Sequence, residues 1–242
     1  ILGVLLLFSN LHFKESLSVD NRKRGNLKSL VSGFGIVLKN RRYVYYVLQM
    51  GFAMGVLFAN ISSSPFIVQQ HYGFSAFEFS LFFGINALAI GLAAGLSVKF
   101  KNPEHAMFLG SVGMTMMSAV EFVILSNEYH FAVYEAVLFV LLFSMGLTFT
   151  ASTTLAMDCE RANSGTASAL FGAAGFAFGG IVSPLVGLGD ILSTTGLIFF
   201  VCSVCSLCFS VLAMNQTHTN LWGSFKCKMG PVTRFVFLRR EK

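Results

Sequence analysis

Apolar residues fall in six long runs, at 43–64, 79–98, 106–126, 132–156, 165–188 and 193–214, separated by short polar breaks. Each holds about 20 residues or more, the length a helix needs to cross roughly 30 Å of hydrocarbon. A shorter run, ILGVLLLFSNLHF at 1–13, cannot span alone. With no basic segment ahead of it, it reads as the end of a preceding transmembrane helix rather than a signal peptide. The expected organisation is a helix end at 1–13, a polar linker at 14–42, a six-helix bundle at 43–214 and a tail at 215–242. The tail lacks clear periodicity. Trp222, Phe225, Phe235 and Phe237 among its basic residues leave two alternatives, a segment lying along the membrane or a disordered one.

Composition sharpens this. Hydrophobic residues make up 55% of the chain and charged residues 12%, against about 25% charged in soluble domains. A soluble core could not hide so much apolar surface, so the fold class is an all-α integral membrane protein. The net charge of +6 suggests nucleic acid until the basic residues are placed. Eight lie in the linker between Lys14 and Arg42, then Lys99 and Lys101, then Arg161, and the remaining six in the tail from Lys226 to Lys242. They occupy alternate connections only, as the positive-inside rule requires. The charge is a topology signal that puts linker and tail in the cytoplasm, and no nucleic-acid partner is expected. Cys202, Cys205 and Cys208 recur every third residue inside an apolar run, a packing pattern. No metal and no cofactor are expected.

The fifth run, SGTASALFGAAGFAFGGIVSPLVG at 164–187, is rich in glycine and alanine. Glycine costs about 1 kcal/mol in a water-exposed helix. In lipid, small residues instead let backbones approach closely. Gly175 and Gly179 form a GxxxG step, and Pro184 removes a backbone donor near the helix end. These three residues are candidates for packing and gating.

The stretch ERANSGTASALFGAAGFAFGGIVSPLVG resembles the eleventh helix of drug/proton antiporters of the Bcr/CflA group in the major facilitator superfamily. KESL resembles the end of the sixth helix, and KNRRYVYYVLQ the start of the seventh. ANISSSPFIVQQHYGFSAFEFSLFFGINAL resembles the seventh helix, its outer loop and the eighth, with Pro65, Tyr72, Gly73, Phe79, Phe83 and Asn86 at matching places. The resemblance covers about residues 10–214. It implies six transmembrane helices forming the C-terminal half of a twelve-helix major facilitator fold, in the bacterial inner membrane. The implied partners are the lipid bilayer, a small-molecule substrate, protons, and an N-terminal six-helix half missing from this sequence. The group's acidic proton carriers lie mostly in that half.

Polar groups inside spans usually face a bundle interior or a wet cavity. Gln49, Ala53, Val56 and Asn60 share one face of the first span. Asn86 lies mid-span near Phe82 and Phe83, and Ser144, Thr148 and Ser152 form a stripe on the fourth. The resemblance implies that the first, second, fourth and fifth spans line the cavity. Gln49, Asn60, Phe83, Asn86, Ser144 and Thr148 are therefore candidate substrate contacts. The alternative is that serines and threonines bond their own i−4 carbonyls while the amides tie helices together. Glu121 and Glu135 are the carboxylates set well inside apolar runs, seven residues either side of Glu128. Antiparallel helices would place them at similar depth, making them candidates for proton coupling, or an interfacial pair reaching water.

GLGD at 187–190 matches a motif of intramembrane aspartyl proteases, which need a second aspartate at the same depth. Asp20 and Asp158 are expected on the opposite side, so no catalytic residue and no enzyme are expected. The expected function is proton-coupled efflux of drug-like or amphipathic molecules by alternating access. A metabolite carrier of the same fold and a truncated half without activity are the alternatives.

Overall fold

The computed structural model describes residues 3–5, 8 and 27–228. Among these the secondary structure is helical, with six helices long and apolar enough to cross a membrane. A linker helix, Leu27–Leu38, precedes them. The spans are α1 (Arg41–Pro65, continued by a π-helical turn at Phe66–His71), α2 (Ala76–Ser97), α3 (Pro103–Ser126), α4 (Phe131–Cys159), α5 (Ser164–Leu185) and α6 (Ile191–Lys228).

Four of the helix starts carry recognisable end chemistry. The Asn40 side chain accepts from the Tyr43 N–H at 3.3 Å and starts α1. Ser75 and Glu78 close a reciprocal capping box on α2. Pro103 opens α3, where its missing N–H costs nothing. Asp190 accepts from the Ser193 N–H at 2.9 Å and caps α6. The GLGD stretch is thus a 3-10 turn at Val186–Leu188 followed by a helix cap.

One expectation differs from the structure: α6 runs past 214 as far as Lys228, so Trp222 and Phe225 lie on a helical continuation. Phe235 and Phe237, and nearly all of 1–26, lie outside the described residues.

α1 sits centrally, against α4, α5 and α6; α3 bridges α4 and α6; and α2 packs on α4. Glycines let these seams close. On α1, a Cβ added to Gly51 would lie 2.7 Å from the Phe178 ring of α5. In return, the Phe58 ring of α1 occupies the space over Gly179, and Met54 lies over Gly175. The α2–α4 seam closes where Gly146 meets the Ile90 carbonyl, and the α3–α6 seam where Gly196 meets the Phe122 Cα. At the basic end, Arg42 pairs with Glu104 at 2.8 Å and Asn40 donates to Glu160 at 2.8 Å, tying three connections together. α2 and α5 keep broad apolar faces open: Leu88 and Leu92 are 65% and 66% exposed, Phe176 and Ile181 68% and 67%.

Candidate functional site

Gln49, Ala53, Val56 and Asn60 do share a face, and it points into the bundle. Gln49 is fully buried at a junction of four helices. Its Nε2 donates to Ser206 Oγ of α6 at 3.0 Å and to Ser111 Oγ of α3 at 3.5 Å, and its Oε1 accepts from Ser152 of α4. The Ser206 hydroxyl returns a bond to the Gln49 carbonyl at 3.1 Å. Every side-chain polar atom of Gln49 is committed to another helix. Asn60 is also buried, its Oδ1 accepting from Ser64 one turn on, at 2.8 Å. Ser144 and Thr148 donate to their own i−4 carbonyls, at 2.8 and 3.2 Å, and lie in the α3–α4 seam over Gly110 and Gly113.

The remaining two substrate candidates lie differently. Phe83 is half open on the free face of α2, its ring 5.7 Å from that of Phe79. Asn86, a turn away, is buried against α4 and donates from Nδ2 to Glu135 Oε1 at 2.9 Å. The structure thus joins a candidate substrate contact to a candidate proton carrier.

Glu121 on α3 is fully buried, close enough to Glu135 for their charges to interact. Between them and the chain end of α1 lies Tyr134, also fully buried, within electrostatic reach of Glu121, Glu135 and Tyr72 and within hydrogen-bond reach of Ser64. Aromatic rings cap this region. Phe131 packs against Phe74 at 4.3 Å, Phe82 at 4.7 Å and Tyr72 at 5.2 Å, and the Tyr72 and Tyr134 rings are 5.8 Å apart. Above the cap opens a cavity of about 560 Å³ whose walls include His71, Tyr72, Glu128 and His130. Burial pushes the Tyr72 phenol up from its ordinary value, and the charges of Glu121 and Glu128 push it the same way. The π-helical turn at Phe66–His71 delivers Tyr72 here, since the Tyr72 N–H reaches back five residues to the Ile67 carbonyl at 3.0 Å.

Of the packing candidates, Gly175 and Gly179 are buried in the α1–α5 seam, while Pro184 is exposed in the last turn of α5. Beside it, the Ser183 and Ser62 hydroxyls share a hydrogen bond across the seam. Sequence reasoning missed the reciprocal glycines of α1, although Gly51 and Gly55 are themselves a GxxxG step. It also missed the aromatic cap, whose members come from three elements.

The sequence pattern of the Major Facilitator Superfamily matches residues 1–184. The chain is also 34% identical over 226 residues to an uncharacterized MFS-type transporter, YdgK, of Bacillus subtilis (strain 168). That alignment covers 91% of this chain and 56% of the relative, so the chain spans about half the length of the protein it matches. Six packed spans agree with these two likenesses: the chain belongs to the Major Facilitator Superfamily, whose members are membrane transporters and not enzymes.

Proposed function

We propose that this chain forms the C-terminal six-helix half of a carrier that exports drug-like or amphipathic molecules in exchange for protons. The free faces of α2 and α5 meet a first six-helix half, and rocking between the halves opens a shared cavity to each side in turn. The linker, the 99–105 and 157–163 connections and the tail lie in the cytoplasm of a bacterial inner membrane. The observation that carries the reading is the Asn86–Glu135 hydrogen bond beside Phe83. An ionisable group bonded one helical turn from an aromatic surface supports the pairing an exchanger of protons for apolar cations needs. Gln49 ties α1 to α3, α4 and α6, Asn60 bonds within α1, Ser144 and Thr148 line the α3–α4 seam, and Phe83 and Asn86 meet the substrate. Glu121 and Glu135 carry the proton.

A transporter containing this chain, reconstituted in vesicles, tests this with ethidium as substrate. An imposed pH gradient should drive ethidium toward the acidic side, and a protonophore should abolish the movement. Ethidium flux indifferent to the gradient would remove the proton-coupled reading, and the absence of flux would favour a metabolite carrier.

A further inference from the structure

At the end of the bundle opposite the basic connections, the buried polar atoms without a hydrogen-bond partner include Asn86 Oδ1 and both carboxylate oxygens of Glu121. The Tyr134 hydroxyl beside them lies within reach of Ser64. Such orphans are uncommon in folded proteins, because each costs about 1–3 kcal/mol and a charged one more. Here they cluster around Glu135, the acid that accepts from Asn86.

A primary amide that donates to one oxygen of a carboxyl group through the hydrogen cis to its own carbonyl turns that carbonyl toward the other oxygen. A proton on that second oxygen lets the two groups close a pair of reciprocal hydrogen bonds, and Oδ1 gains the donor it lacks. Glu121 poses the same demand more sharply, since no group donates to either of its oxygens. A bare carboxylate so placed is far costlier than the acid. No cation offsets it: the lysines and arginines among the described residues lie in the linker, the other basic connections or the continuation of α6.

The ionisable groups facing the site are Glu121 from α3 and Tyr134 and Glu135 from α4, with His71 and Tyr72 after α1. Glu128, Tyr129 and His130 stand in the α3–α4 connection. Glu78 of α2 and Asp190 ahead of α6 are engaged at their own helix ends, by Ser75 and Ser193.

We infer that Glu121 and Glu135 form one buried proton-binding site, filled from the cavity at His71 and His130 past Tyr72, with Asn86 sensing whether Glu135 is protonated. A proton from water adds to a Glu135 oxygen, making an O–H bond that donates to Asn86 Oδ1. Release breaks that bond and returns the proton to water. A substrate that takes the Asn86 amide removes the acceptor of that O–H and so shifts the proton equilibrium. Only this last exchange rests on the transport reading; the site itself does not.

The test is infrared spectroscopy of the purified transporter, following the carbonyl band of protonated carboxyl groups near neutral pH. The wild type should show the band. Glu121→Gln and Glu135→Gln should each remove a part of it and the double variant both parts, with melting temperatures reported alongside. Asn86→Leu should move the Glu135 component in frequency, because its O–H loses its acceptor. A wild type without the band overturns the inference whether or not any variant folds, and so does a band that both glutamines leave unchanged. A band in a protein that moves no ethidium keeps the site and removes the efflux reading. Gradient-driven efflux without the band does the reverse.

Discussion

Asn86 is held at one oxygen of Glu135 and unsatisfied at its own, so removing its amide has separable consequences. Asn86→Leu should weaken binding of polar substrates by about 1–2 kcal/mol, the scale of hydrogen bonds between membrane helices in model peptides. Apolar substrates should lose less. Binding of one substrate of each kind to the purified variant, with its melting temperature, checks this; equal losses with a lowered melting point would make Asn86 a structural tie. Asp190 gives a second residue-scale prediction. The Ser193 N–H holds its carboxyl below the ordinary 3.8, so the cap stabilises α6 above that value and is lost as pH falls through the lowered one. Asp190→Ala should cost about 1 kcal/mol, with the gap from wild type narrowing in acid; a constant gap across the melting series would contradict the cap. At this scale the sequence was legible in part. The spacing around Glu128 anticipated a Glu121–Glu135 pair, but the partner of Asn86 depends on how α2 lies against α4, which no local pattern encodes. Gln49 shows the same limit: its face was readable, and which way the face turned was not.

The α1–α5 seam is built from glycines set against large side chains of the opposite helix. Gly179 lies under the Phe58 ring, whereas Gly175 meets Met54, whose Cγ lies 3.3 Å and whose terminal Cε lies 3.9 Å from an added Cβ. Gly179→Leu and Gly175→Leu should both cripple transport while leaving membrane levels near normal. Gly179→Ala should be the more damaging of the two alanine variants, because a ring yields less readily than a methionine. Gly172→Ala, with nothing within 4 Å of the added carbon, is the control and should be neutral. Dye efflux with immunodetection of the membrane fraction checks the set, and normal rates for both leucine variants would take the seam out of the mechanism. The fifth run announced its glycines through composition alone. Gly51 and Gly55 were hidden in a run of mixed size, QMGFAMG, and acquire meaning once α5 lies across them. Element ends were more legible than seams, because caps such as Ser75–Glu78 are local chemistry. The continuation of α6 to Lys228 was not, since its polar residues lack the apolar period that marks a span.

For the whole molecule, alternation of basic charge and the lengths of the apolar runs fix six spans, and the packed helices agree with them. Orientation is testable directly. Single cysteines at positions 18 and 71, in a background without the native cysteines, should differ in labelling by an impermeant thiol reagent applied to intact cells. Position 71 should label and position 18 should not; the reverse would overturn the orientation. The proposed coupling of proton movement to substrate movement runs through a buried carboxyl pair in this half. Glu135→Gln tests it most directly in reconstituted vesicles, because the amide keeps the shape of the acid but binds and releases no proton. The variant should lose ethidium accumulation driven by a pH gradient while keeping ethidium exchange at equal concentrations, which needs the conformational cycle but no net proton. Gradient-driven accumulation at the wild-type rate in Glu135→Gln would contradict the account.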